Sequence, residues 1–288
     1  EILRCLVGSE MCIRDRMIMA AGGCGSSNKE IPSSADNSRY VSETKDNGNV
    51  TDGKEYDIDN GGLPYDEETV YNQLFDINNK VEIDVDISDD ELAKMQSDYN
   101  RYDNMGSKSP IYRKCDLKIS ITSDGVKNTY IIRNTGIRMK GNTSRTAFYD
   151  SNSGVYSLIH FKVDFTETFD DEQYYGGDSD YDLDIDKEKQ QNRTFATLDS
   201  MEIKWNQTFD STYVREYYAC EMYRDFGILA QRTNLASINL GDVHEGIFKI
   251  YEPVDKKFIK RYVAKEDCGG DLYKCGWTRN GATFLTNV

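Results

Sequence analysis

Strict alternation of apolar and acidic residues marks the first ordered part of the chain. Val81-Glu82-Ile83-Asp84-Val85-Asp86-Ile87 has the period of a strand with one face buried and one in water. Ser88 followed by Glu91 is a capping signature, opening a helix through Leu92 and Met95. Cys115 to Thr122 and Lys127 to Arg133 flank Asp124-Gly125, which predicts a hairpin. The run Tyr156 to Phe165 puts Ile159, Phe161, Val163 and Phe165 on one face and Lys162 on the other. Met201, Ile203 and Trp205 alternate in the same way along Ser200–Trp205. Asp210-Ser211 caps a helix that runs to Phe226 and stops at Gly227, with Val214, Tyr218, Met222 and Phe226 along one stripe. Leu235 to Leu240 and Gly246 to Tyr251 form a second hairpin about Gly241-Asp242, and Glu252-Pro253-Val254-Asp255 leads into a short segment, Lys256 to Tyr262. Strands in succession around one good helix predict an α+β domain rich in antiparallel sheet.

The flanks read differently. Residues 1–16 follow no structural period and look like non-native, adapter-like sequence. Residues 17–23 resemble the remnant of a lipoprotein signal, which makes Cys24 the expected site of lipidation. Residues 24–78, rich in Ser, Asn, Asp and Gly, are expected to be a disordered polar linker, leaving 79–288 as the folded domain. Within it, residues 166–192 read as a solvated acidic insertion. Its carboxylates at Asp178, Asp180, Asp182, Asp184 and Asp186 have the alternation of a calcium loop but lack the central glycine and the Glu at the twelfth position.

Charge and cysteine usage narrow the function classes. With 35 Lys and Arg against 50 Asp and Glu, the 288-residue chain carries −15. Such a surface repels nucleic acid and anionic lipid, so neither is an expected partner and membrane contact falls to the lipid anchor alone. Cys115, Cys220, Cys268 and Cys275 permit three disulfide pairings, of which Cys268 with Cys275 would close a small loop. His160 and His244 stand at no zinc-ligand spacing, and no metal site is assigned.

Behind the apolar run Tyr130-Ile131-Ile132 comes Gly136-Ile-Arg-Met-Lys-Gly-Asn-Thr-Ser-Arg145, dense in hydrogen-bond donors. Read as a loop, it suits an anionic ligand; it equally suits a polar turn whose Asn142 and Ser144 bond their own backbone. Three further segments follow in order: Ile159-His-Phe-Lys-Val-Asp-Phe165, Asp210-Ser-Thr-Tyr-Val-Arg-Glu216 and Gly246-Ile-Phe-Lys-Ile-Tyr-Glu-Pro-Val-Asp255, with Asp271-Leu-Tyr-Lys274 after them. The ordered set resembles the spore-coat CotH kinase family, atypical protein kinases of the secreted type, over roughly residues 80 to 278. The resemblance implies a two-lobed kinase-like fold, ATP and Mg²⁺ as cofactors, and Ser or Thr of surface or spore-coat proteins as acceptors, at a bacterial cell envelope. It makes Lys162 the phosphate lysine and Glu216 its partner on the helix. Arg138, Lys140, Asn142, Ser144 and Arg145 would line a phosphate-facing loop, and Glu252 would sit at a hinge. The family's catalytic and metal-holding aspartates belong to later segments not found after Asp271, so the chain is expected to be an N-terminal fragment, inactive alone. A non-catalytic surface binding or structural module with the same fold is the alternative.

Overall fold

A computed structural model describes residues 50–59, 64–141, 145–150, 152, 155–205, 210, 212–241, 244–270, 272–278 and 281–287. In chain order the elements are β1 (Thr51–Asp57), α1 (Glu67–Leu74), β2 (Lys80–Asp86), α2 (Asp89–Asn104), β3 (Arg113–Ser123), β4 (Val126–Lys140), β5 (Tyr149–Asp150), β6 (Val155–Tyr156) and β7 (His160–Asp164). There follow α3 (Glu172–Tyr175), α4 (Lys187–Gln191), β8 (Ser200–Trp205), α5 (Arg215–Asp225), β9 (Thr233–Leu240), β10 (His244–Tyr251), α6 (Lys256–Tyr262), β11 (Tyr273–Thr278) and β12 (Gly281–Asn287). Residues Thr51–Gly270 form one compact unit; β11 and β12 pair as an antiparallel hairpin in another.

Eight strands make one sheet in the order β1-β4-β3-β2-β9-β10-β8-β7, and β7 pairs again with β4. Along one edge β4 holds β3; along the other it holds β1 as far as Ile131 and β7 from Gly136 onward. The seven strands from β4 round to β7 therefore close into a ring, with β1 as an outer flap. Most pairings are antiparallel, as expected, but β1–β4 and β2–β9 are parallel. Both join segments far apart in sequence, which is where parallel pairing becomes possible. Inside the ring lie Ile83, Ile119, Ile132, Ile137, Phe161, Val163, Ile203 and Ile250, all buried.

The place where β4 changes partner exposes backbone carbonyls with no ladder to join. Asn134 takes φ +48° there, and the β3 register shifts between Cys115 and Leu117. Arg193, buried, answers the exposed groups: it donates to Phe165 O (2.7 Å), Arg133 O (2.6 Å), Asn134 O (3.1 Å) and the Asp59 carboxylate (2.6 Å). Unpaired buried backbone groups are costly, so one guanidinium stands in for a missing strand.

The expected linker is shorter than 24–78. From Thr51 the chain is part of the domain: Tyr56 stacks on Tyr130 at 5.0 Å, and Tyr65 lies 5.3 Å from the same ring. In α1, Val70, Tyr71 and Leu74 are buried, and Glu67 accepts from Thr194 Oγ1 (2.8 Å) and Thr197 N (2.6 Å). The polar composition misleads because the few apolar residues spend themselves on partners remote in sequence. Residues 1–49, with Cys24, lie outside the described residues.

The acidic insertion is ordered too. Phe169, Tyr175 and Tyr181 pack with Ile111 in a second small core, and Gln190 is buried. Lys94 of α2 reaches into the carboxylates, 2.9 Å from Asp90, 3.2 Å from Glu91, 3.0 Å from Asp178 and 2.9 Å from Asp180. Three of these carboxylates, Asp90, Glu91 and Asp180, have the spacing of metal ligands, yet the ammonium already supplies the positive charge. Against the downward pull of burial, its bonds to Asp180, Asp90, Asp178 and Glu91 raise the Lys94 ammonium well above its ordinary range.

Three local expectations also shift. Gly136 to Lys140 continue β4 and are strand, not loop. The α5 helix begins at Arg215 with no side-chain cap, while Asp210 instead accepts from Thr212 N (3.2 Å) and Oγ1 (2.7 Å). Its stripe of Tyr218, Met222 and Phe226 points outward and is exposed. Cys115, Cys220 and Cys268 carry free thiols, so Cys268 closes no loop. Among the described residues no helix is long and apolar enough to cross a membrane.

Candidate functional site

Residues directly opposed across antiparallel strands share a face. Register therefore lays out the outer face of β4, β7, β8 and β10 as rows. One row runs Arg138, Lys162, Glu202, Tyr251; beside it lie Lys140 with His160, and Lys204 with Lys249. The alternate positions, Met139, Phe161, Ile203 and Ile250, are the ring core. A face pointing away from that core would ordinarily be wet, but His160, Lys204, Lys249 and Tyr251 are all buried. Five cations thus crowd a sparsely exposed strip of an acidic protein. Ammonium groups resist burial unless anions meet them, and like charges opposed across strands repel.

Four carboxylates answer part of this charge. Lys249 Nζ lies 2.5 Å from Glu216 on α5 and 3.7 Å from the buried Asp210. The Tyr251 hydroxyl donates to the same Glu216 carboxylate. Lys204 Nζ sits 4.1 Å above the Tyr251 ring and 3.7 Å from Glu202, which also accepts from Lys140. Burial alone would raise the Glu216 carboxyl; the charge and hydrogen bond of Lys249, then Tyr251 and Lys204, hold it below its usual range. Asp210 is likewise held low against its burial, by Thr212 and Lys249.

Further along the row, Lys162 Nζ lies 3.6 Å from Asp164. Burial pulls its ammonium down, but Tyr112 and Asp164 more than restore it and leave it raised. Arg138 stacks on Tyr112, 5.0 Å from the ring centroid, and donates to Ser109 O at 3.2 Å. Its buried Nε has no hydrogen-bond partner among the described residues. An unanswered guanidinium donor directly opposed to Lys162 is what an anion would complete.

The sequence-derived site is thus partly assembled and partly redistributed. Arg138, Lys140 and Lys162 share the strip, and Glu216 reaches it from α5. The expected Lys162–Glu216 pair is not formed: Glu216 pairs with Lys249, while Lys162 lies two strands away beside Asp164. Arg145 turns toward α2, donating to Ser107 O (2.5 Å) and lying 3.6 Å from Asp103. Glu252 is fully buried at the corner between β10 and α6, accepting from Arg232 N (3.2 Å), Tyr262 Oη (3.2 Å) and Arg261. Burial raises its carboxyl, and its bonds serve that corner. Asn142 and Ser144 lie outside the described residues. Lys204 and Lys249 were missed, although each stands on the outward phase of its strand, opposite the core alternation.

A strip of cations linked by one carboxylate to a flanking helix has the chemistry to neutralise an anionic group. The CotH kinase protein family model matches residues 137–287, more than half the chain, and the protein belongs to that family. The matched span begins in the second half of β4 and contains β7, β8, α5, β9 and β10, hence every strand of the strip. Comparison with curated proteins finds no match.

Proposed function

We propose that the strip is the phosphate-binding half of a nucleotide site, and that the protein is a cell-envelope kinase moving the ATP γ-phosphoryl group, with Mg²⁺, to Ser or Thr of surface or spore-coat proteins. The observation that carries this reading is the Lys249–Glu216 pair at 2.5 Å with Lys204 directly opposed to Lys249. In protein kinases a loop between two strands covers the phosphates, a lysine on the third strand contacts them, and a glutamate on the following helix holds that lysine. Here the chain passes from β4 through β5 and β6 to β7, Lys204 is on the next strand β8, and Glu216 is on the helix after it. Lys204 precedes the helix as the kinase lysine does, while the ion pair with Glu216 is made by the opposed Lys249, so these two lysines together take the phosphate role that the sequence reading gave to Lys162.

The residues fit the group. Lys204, Lys249 and Lys162 would meet its phosphates, and the unanswered Arg138 Nε supports a further anionic contact. Bound ATP would supply the transferable phosphoryl group. The chain itself contributes charge neutralisation and orientation, the main terms in phosphoryl transfer. No residue is assigned as general base or metal ligand. Envelope location with Cys24 as the lipidated anchor belongs to this proposal and rests on the signal-like sequence before it.

The test is titration of the full chain with a fluorescent ATP analogue and Mg²⁺, followed by radiolabel transfer to a Ser/Thr-rich acceptor. A charge-assisted contact is worth about 1.5–3 kcal/mol, so Lys204→Met should weaken binding roughly 10- to 100-fold. No binding by the wild type would overturn the reading. Binding with no transfer would uphold the nucleotide site and leave the transfer step without support.

A further inference from the structure

The geometry points to Tyr251 as a positioning residue of this site, its hydroxyl fixing Glu216 and its ring carrying Lys204, so that nucleotide affinity depends on a phenol that need not touch nucleotide. The inference rests on the kinase reading above and deepens it. Tyr251 is the last residue of β10 and is almost wholly buried, although it points to the cation-bearing side. Its hydroxyl is spent on the Glu216 carboxylate. Its face lies 4.1 Å beneath Lys204 Nζ, a cation–π distance. Lys249, two residues earlier on the same strand, holds the same carboxylate at 2.5 Å. One short stretch of β10 therefore grips the helix glutamate twice and seats the opposing strand's lysine once.

The consequence is mechanical as well as electrostatic. Among the described residues of α5, none is buried, so packing alone does not lock that helix against the sheet. Glu216 ties it to β10, where the Tyr251 hydroxyl and the Lys249 ammonium meet the same carboxylate oxygen. The groups facing Glu216 are Lys249 and Tyr251 from β10 and Lys204 from β8, with Asp210 sharing Lys249 and Cys220 one turn on along the helix.

Tyr251→Phe removes the hydroxyl and keeps the ring. In the same fluorescent-nucleotide titration it should raise Kd roughly tenfold, matching one charge-assisted hydrogen bond. It should also move the acid limb of binding to higher pH, because Glu216 loses a donor that holds its carboxyl down. A residue that only filled space would leave that limb in place. Glu216→Gln, which keeps the tyrosine, is the second arm: in its background Y251F should add less than twofold. The inference is overturned if wild type binds nucleotide and Y251F binds equally with an unshifted limb, or if the two effects simply multiply. Should Y251F not fold, the arm of E216Q alone decides: unchanged affinity and an unchanged acid limb would sink the inference. Failure of the wild type to bind nucleotide at all instead removes the kinase reading, a separate result.

Discussion

Arg193→Met is the sharpest test of how the ring is closed. The substitution keeps an apolar stem of similar reach and deletes the guanidinium. Four acceptors lose a donor, but not equally. Asn134 O keeps its bond from Gln190 Nε2 at 2.7 Å, and Asp59 keeps one from Arg133 N at 2.6 Å. Phe165 O and Arg133 O are the ones set to be orphaned. Each buried, unsatisfied acceptor costs about 1–3 kcal/mol, and the half-solvated Asp59 charge adds less than a fully buried one would. The expected loss is therefore about 3–6 kcal/mol, a large part of the 5–15 kcal/mol typical of a domain. With a urea slope of about 1–3 kcal/mol per molar, the unfolding midpoint should fall by roughly 2 M. Arg193→Lys, which restores charge but not the fork of donors, should recover only part of it. Urea titration followed by tryptophan fluorescence measures this directly. A midpoint within 0.3 M of wild type would refute the claim that one side chain substitutes for a strand where β4 changes partner.

Lys94→Met should lower the melting temperature and make it respond to millimolar calcium, because Asp90, Glu91, Asp178 and Asp180 would be left without their internal cation; no response to calcium by differential scanning fluorimetry would count against that account. Glu216 and Asp210 have carboxyls depressed below their ordinary values of 4.5 and 3.8, so their stabilising contribution is complete above those values and is lost as pH falls through the lower folded ones. Wild type should thus lose stability on acidification below about pH 4, and Glu216→Gln should show a shallower acid limb; equal slopes for both would exclude the ion pair as the cause. The nucleotide and Tyr251 titrations complete the set.

Local periodicity determined a good deal. The alternation at Val81–Ile87 and Met201–Trp205, the turn at Asp124-Gly125, the cap at Ser88 and the stop at Gly227 all stand where the chain placed them, while of the expected strand Tyr156–Phe165 the stretch His160–Asp164 forms β7 and the start belongs to β6. Each depends on neighbours within a few residues, and steric preference or side-chain phase suffices to specify it. Even the family was legible, since ordered segments survive without knowledge of their packing. What the tertiary structure alone decided is which phase meets which. Lys162, Lys204 and Lys249 are indistinguishable as outward lysines on adjacent strands; only the tertiary arrangement brings Glu216 of α5 within reach of β10 and gives it to Lys249. The exposed stripe of α5 makes the same point, because amphipathic spacing fixes a face but not its direction. Segment 51–78 and the acidic insertion read as solvent-loving because their few aromatic and charged anchors, Tyr56 on Tyr130, Glu67 on Thr197 and Lys94 among four carboxylates, act across separations that no local pattern can encode.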